Sequence, residues 1–188
     1  TILEAHAAHQ AIDPEGLKVR SWARPGTAIS LLVDRSGSMG GKPLATSAMA
    51  AAAVAWRSPS DYSVIAFGKD VVVAKGQTSM KSSEEVINDV LALRGFGTTD
   101  LAGALRGAGE QLSRTRAGRR ITVILSDCRA TVAGDVQAAA RALDEVVILA
   151  PCGDDAEAQV LAGQVGARIA CIDGPSDIPA ALQAVLGD

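Results

Sequence analysis

Apolar residues along the chain fall into short runs that alternate with longer stretches of helical spacing. Five runs are almost continuously apolar, which is typical of strands buried on both faces of a sheet: 27–33, 62–67, 120–125, 145–149 and 168–172. A sixth run, 71–74, follows its predecessor after only Gly68-Lys69-Asp70. This short spacing predicts a hairpin, whose second strand is antiparallel and lies at an edge.

The stretches between these runs have the periodicity and end signals of helices. Helices are predicted at 43–56, 84–93, 100–112, 132–143, 156–165 and 178–186. Ser82 or Ser83 is expected to cap the second, and Asp154-Asp155 the fifth. The alternation predicts an α/β fold, with a doubly wound, mostly parallel sheet, one antiparallel edge strand and helices on both faces.

The first 25 residues are less regular than the rest of the chain. Within them, 17–22 alternates apolar and polar residues as an edge strand does. We therefore divide the chain into an N-terminal extension or edge strand, 1–25, and one domain, 26–188.

Composition narrows the possible functions. The net charge of −3 gives no basic surplus for binding nucleic acid. No apolar run reaches the roughly 18 residues of a membrane span, and no secretory leader opens the sequence. Three cysteines, Cys128, Cys152 and Cys171, lie in or beside apolar runs and are expected to be buried, reduced thiols. These features favour a cytoplasmic protein.

Residues with hard oxygen ligands lie in three of the predicted loops. Asp34, Ser36 and Ser38 follow the first strand, Thr98-Thr99-Asp100 precedes the third helix, and Asp127 follows the run 120–125. Carboxylate and hydroxyl oxygens without His or Cys suit Mg²⁺, with Mn²⁺ or Ca²⁺ possible, and do not suit Zn²⁺. So few charged ligands leave a coordination position open to a carboxylate from outside.

Two catalytic motifs fail at the same loop, and one enzymatic alternative stays open. The segment 36–43 has serine and proline where a phosphate-binding loop needs glycine and Ser or Thr. Ser38 lacks the first glycine of a hydrolase elbow. An Mg²⁺-dependent phosphoryl-transfer enzyme using Asp34 is the alternative, although Arg35 and Ser36 stand where its second acid is expected.

Three strings resemble motifs of the von Willebrand factor A domain family. LLVDRSGSMGG resembles its Asp-x-Ser-x-Ser metal loop, FGTTDLAGAL its threonine loop, and ITVILSD the strand that ends in its distal aspartate. The resemblance implies a metal-ion-dependent adhesion site in which Asp34, Ser36, Ser38 and Thr99 hold the cation and Asp127 acts through water. Thr98 replaces a frequent glycine, which leaves Thr98 or Thr99 as the ligand, and Cys128 also stands where glycine is frequent.

The resemblance further implies a non-enzymatic module that grips a partner's Asp or Glu through the metal. The nearer likeness is to intracellular members paired with AAA+ ATPases, such as magnesium-chelatase D-type and CoxE-like proteins, in the Ala- and Gly-rich style and the basic lead-in LKVRSWARPG. It implies an AAA+ ATPase partner in a chelatase or cofactor-loading complex. An extracellular adhesion domain is the other possibility.

Overall fold

The computed structural model describes residues 26–35, 43–92 and 97–187. The predicted extension or edge strand at 1–25 lies outside the described residues, as does the end of the first loop, 36–42. Within the described part of the chain, no helix is both long enough and apolar enough to cross a membrane.

A six-stranded sheet forms the centre of the molecule, in the order β3-β2-β1-β4-β5-β6. All neighbouring strands pair in parallel except β2 and β3, which form the predicted antiparallel hairpin at one edge. The strands are β1 (Thr27–Asp34), β2 (Tyr62–Phe67), β3 (Val71–Lys75), β4 (Arg119–Leu125), β5 (Glu145–Pro151) and β6 (Arg168–Ile172).

In the part of the chain that the structure describes, six α-helices cover the two faces of the sheet: α1 (Pro43–Arg57), α2 (Ser83–Ala92), α3 (Leu101–Leu112), α4 (Val136–Arg141), α5 (Ala156–Val165) and α6 (Ile178–Leu186). One apolar core joins α1, α2 and α6 to the sheet, and a second core joins α3, α4 and α5 to its other face. Many of the helical contacts are alanines, whose small side chains let the helices approach the sheet closely. The predicted doubly wound fold is confirmed.

Most predicted elements agree with the structure to within one or two residues, and local signals explain why. Ser82 caps α2: its hydroxyl accepts a hydrogen bond from the Glu85 N–H at 3.2 Å, and Glu85 accepts one from the Ser82 N–H at 2.9 Å. This reciprocal capping box fixes the start of the helix.

The helix predicted at 132–143 is wrong in its first part, because α4 begins only at Val136. The N–H groups of Thr131 and Val132 donate to the Thr99 carbonyl instead of starting a helix. Gly134 packs so tightly that a Cβ atom there would lie 2.8 Å from Ala102. Tertiary contacts with the neighbouring loop therefore override the helical periodicity of these residues.

The expectation of three buried cysteines is also wrong for two of them. All three are free thiols, but only Cys128 is buried, whereas Cys152 and Cys171 are exposed. Cys171 lies on β6, the edge strand, and Cys152 lies in the turn after β5. An apolar run predicts a strand, but an edge position leaves part of that strand in contact with solvent.

Candidate metal centre

The site forms where the chain order of the sheet reverses, between β1 and β4. The parallel register pairs Val33 with Leu125, which places the following residues, Asp34 and Ser126, beside each other at the carboxyl edge. Ligands of open α/β sheets bind at such reversal points. The fold therefore brings the ends of these two strands together, as the sequence predicts.

Asp34 ends β1 and is 1% exposed. The Ser126 hydroxyl donates a hydrogen bond of 2.6 Å to Asp34 Oδ2. Ser126 Oγ in turn accepts a bond of 2.9 Å from the Cys128 N–H, so it holds both the carboxylate and the loop after β4. The Asp34 carboxylate is thus fixed in orientation before any ligand arrives.

Asp127 follows Ser126 and is likewise 1% exposed. Its Oδ1 accepts a hydrogen bond of 3.0 Å from the Arg129 N–H. Its Oδ2 is buried and has no hydrogen-bond partner among the described residues. Burying a carboxylate oxygen without a donor costs free energy, so this atom is suited to a cation or to water held by one.

The threonine loop is fastened to both neighbouring strand ends. The Thr99 N–H donates to Thr131 Oγ1 at 2.7 Å, and the Thr99 carbonyl accepts from the N–H groups of the loop after β4. The Asp100 N–H donates to the Gly68 carbonyl at 2.8 Å, and its carboxylate caps α3. Thr99 is 2% exposed, whereas Thr98 is exposed. Burial at the same edge as the two aspartates favours Thr99 over Thr98.

The predicted ligands are therefore placed unequally. Asp34 and Asp127 lie together, Thr99 lies in the adjoining loop, and Ser36 and Ser38 lie outside the described residues. Within residues 26–35, 43–92 and 97–187, no three His, Cys, Asp or Glu side chains form a group that could hold a metal. The donor set predicted from the sequence adds hydroxyl oxygens to the two carboxylates.

Cys128, at a position where the resemblance leads us to expect glycine, adopts a backbone conformation that glycine reaches more easily than other residues. Its φ is +63°, and it is the one non-glycine residue with positive φ in the described part of the chain. Burial raises the pKa of its thiol to about 12, and the nearby carboxylates of Asp127 and Asp34 act in the same direction. The thiol is therefore neutral, and it adds no ligand charge to the site.

Three residues of the site escaped the sequence analysis: Ser126, Thr131 and Arg129. Ser126 was recognised only as the end of a strand, because its bond to Asp34 depends on the register between β1 and β4. Thr131 directly precedes the predicted helix 132–143 and carries no sequence signal, although its hydroxyl accepts the hydrogen bond from the Thr99 N–H. Arg129 lies two residues after Asp127, but its bonds with Asp154 join two separate loops, which no local pattern specifies.

Comparisons with known proteins agree with this architecture. Residues 29–130, more than half of the chain, match the family model described as von Willebrand factor type A domain. No curated protein sequence matches the chain significantly.

Solved structures share the fold at low sequence identity. The proximal thread matrix protein 1 of the mussel byssus is 15% identical with a TM-score of 0.69, over 87% of this chain and 48% of that one. Another structure of it has a zinc-occupied MIDAS motif, the abbreviation of metal-ion-dependent adhesion site. The manganese-loaded TRAP protein of Plasmodium vivax is 16% identical with a TM-score of 0.66, over 87% of this chain and 74% of that one.

An aerotolerance-related membrane protein of Bacteroides fragilis, solved with multiple mutations to serines, is 16% identical with a TM-score of 0.66. The match covers 86% of this chain and 99% of that one. The chain spans about half the length of the mussel protein. These likenesses establish the fold.

Proposed function

The chain belongs to the von Willebrand factor type A domain family, and we propose that it is a non-catalytic module that binds a partner protein's carboxylate through a divalent cation. Domains of this family mediate interactions between proteins and are generally non-catalytic. The proposal extends that general property to the carboxyl edge of β1 and β4.

The buried Oδ2 atom of Asp127, which has no hydrogen-bond donor among the described residues, is the observation that carries the proposal. It shares this edge with a second carboxylate, Asp34, that is just as deeply buried. Two carboxylates in a region of low dielectric repel each other, and a divalent cation between them removes that cost. The pair therefore supports a cation site better than a purely structural role.

The predicted ligands have two roles in this proposal. Asp34, Ser36, Ser38 and Thr99 hold the cation, and Asp127 orients a water bound to it. When bound, the cation supplies positive charge and one coordination position for an outside carboxylate. Ser126 keeps Asp34 in one orientation, which lowers the entropy cost of binding.

We propose Mg²⁺ as the resident ion, because hydroxyl and carboxylate oxygens are the ligands it prefers. Two of the similar structures hold zinc or manganese instead. The zinc-occupied motif in the mussel protein weakens our argument that this class of site does not suit Zn²⁺, so Zn²⁺ belongs among the ions to be tested.

The partner class is a further part of the proposal. The Ala- and Gly-rich sequence and the basic segment LKVRSWARPG favour an AAA+ ATPase partner, in a chelatase-like or cofactor-loading complex of the cytoplasm. We expect an AAA+ ATPase gene to lie next to the gene for this chain. We also expect the two proteins to co-purify, and EDTA to abolish that co-purification. Co-purification that is unchanged by EDTA and by Asp34→Ala contradicts a metal-bridged partner.

Calorimetric titration with Mg²⁺, Mn²⁺, Ca²⁺ and Zn²⁺ tests the metal site itself. We expect one site per chain in the wild type and no measurable binding in Asp34→Ala. Asp144→Ala, which removes an exposed carboxylate just before β5, at the opposite end of the sheet, is the matched control and should bind as the wild type does. Equal binding by wild type and Asp34→Ala contradicts the proposal.

A further inference from the structure

Arg129 holds its guanidinium at the rim of the candidate metal centre. Its Nη1 lies 4.0 Å from the buried Oδ2 of Asp127, and its side chain is 50% exposed. The same guanidinium forms two bonds with Asp154, one from Nη1 to Oδ2 of 3.1 Å and one from Nη2 to Oδ1. Arg129 thus lies beside the buried carboxylate and reaches solvent.

Asp154 positions this guanidinium instead of capping α5 as predicted. The residue at the N-cap of α5 is Asp155, and it makes no side-chain capping bond. The Asp154 N–H donates to the Pro151 carbonyl at 3.1 Å, which fixes Asp154 in the turn after β5. The ion pair therefore joins the loop after β4 to the turn after β5, across the edge that carries the site.

The charges at this rim have opposite consequences for a cation and for an anion. A guanidinium a few ångströms from a bound divalent cation repels it, which lowers the affinity for the bare ion. The same group attracts an incoming carboxylate and can bond it through its planar fork. Asp154 occupies two of the five N–H donors, so donors are left for a ligand.

The surface beside Arg129 has room for a partner segment. An open cleft of about 490 Å³ begins at Cys128 and Arg129 and continues between α4 and α5. Beyond Arg129 its walls carry apolar and amide side chains and one carboxylate: Val136, Gln137, Glu157, Val160, Leu161 and Gln164. A chain that places an acidic residue at the metal can continue into this cleft past Arg129.

We propose that Arg129 is a second binding residue of this site, which weakens binding of the bare cation and strengthens binding of the partner's carboxylate, and that Asp154 positions it. This inference rests on the proposed metal site and assigns to it a specificity for acidic partners. Asp154 prevents the guanidinium from moving onto Asp127, so it favours loading of the cation.

The test measures two affinities with opposite expected changes. Mn²⁺ alone is titrated first; then acetate is added to Mn²⁺-loaded protein, and the broadening of its methyl proton resonance is followed by NMR. In Arg129→Ala we expect Mn²⁺ to bind up to about tenfold more tightly at low salt and acetate about three- to tenfold more weakly. Both changes should shrink as salt is added.

Arg141→Ala is the matched control, because Arg141 is an exposed arginine of α4 that bonds the Gln164 carbonyl at 3.0 Å. It should leave both affinities unchanged. Asp154→Asn should weaken Mn²⁺ binding by about threefold, since the released guanidinium moves toward Asp127. The double variant should follow Arg129→Ala, because Asp154 acts through Arg129. Thermal melting in EDTA checks that each variant is folded.

The outcomes separate the two proposals. If the wild type binds Mn²⁺ and Arg129→Ala matches Arg141→Ala in both affinities, the role of Arg129 is wrong and the metal site stands. If both affinities of Arg129→Ala fall together, Arg129 supports the fold of the loop and not binding. If the folded wild type binds no Mn²⁺, the metal site and this inference are both overturned.

Discussion

Carboxylates at the two edges of the sheet differ in how fully their oxygens are hydrogen-bonded. At the amino edge, Glu145 accepts bonds of 2.7 and 2.9 Å from Arg119 and one of 2.7 Å from Arg168. Asp61, just before β2, accepts bonds from Gln77 and Thr115. At the carboxyl edge, the more deeply buried Asp127 has one oxygen without a hydrogen bond among the described residues.

The difference shows what separates a structural carboxylate from a binding one in this molecule. The hydrogen bond from Arg119 lowers the pKa of Glu145, so its charge is neutralised within the chain. The carboxyl edge keeps a buried carboxylate oxygen without a hydrogen bond, which costs stability and leaves affinity for a ligand from outside the chain. We expect changes at the amino edge to alter stability alone, and changes at the carboxyl edge to exchange stability for binding.

The largest effect is expected from Asp127→Asn. Neutralising this carboxylate should lower the affinity for Mn²⁺ by about tenfold or more, since the site loses one of its two charges. In EDTA the same variant should be more stable to urea by about 1 kcal/mol, because it replaces a buried charge, whose nearest guanidinium lies 4.0 Å away, by a neutral amide.

Asp61→Asn is the counterpart at the amino edge. It should destabilise the protein by about 1–2 kcal/mol, because it weakens bonds that a carboxylate accepts more strongly, and leave the Mn²⁺ affinity unchanged. Loss of stability in both variants would remove the distinction between the edges.

A smaller, pH-dependent effect is expected from Glu145→Gln. The folded-state pKa of Glu145 lies below its ordinary value of 4.5, so its contribution is fully present above that value and is lost as the pH falls through the lowered folded-state pKa. The side chains of Glu145 and Arg119 are about one-third exposed, and solvent screening reduces the contribution to about 0.5–1 kcal/mol.

Urea unfolding of wild type and Glu145→Gln from pH 7 to pH 3 measures this contribution. The stability difference should be constant at neutral pH and should close as the pH falls below 4.5. A difference that persists undiminished at pH 3 contradicts a charge-based role. Mn²⁺ affinity at pH 7 should not change.

The smallest effect is expected from Cys128→Gly, which tests strain at the carboxyl edge. Glycine adopts a φ of +63° freely, which offsets the packing lost with the buried thiol, so the free energy of unfolding should change by less than about 1 kcal/mol. Cys128→Val, with a branched Cβ in this conformation, should cost about 2 kcal/mol or more. Equal losses in the two variants mean that packing and not backbone strain dominates at this residue.

Most of the fold could be predicted from the sequence, because buried strands and amphipathic helices have recognisable local patterns of apolar residues. Strands such as 62–67 and helices such as 178–186 agree with the structure residue for residue. The pattern failed at 132–135, where the backbone bonds the threonine loop, and at Cys171, where an edge strand meets solvent. In both places the outcome depends on tertiary position, a contact with a distant loop in one case and the edge of the sheet in the other.

The same division holds for the candidate site. The sequence alone predicts Asp34, Thr99 and Asp127 as site residues, because short motifs specify their types. The same motifs place them after strands or before a helix. Only the tertiary structure shows that Asp127 Oδ2 lacks a hydrogen bond among the described residues. It alone also shows the hydrogen bond from Ser126 to Asp34 and the ion pair between Asp154 and Arg129. Those features depend on strand register and on the meeting of separate loops, and no local pattern specifies either.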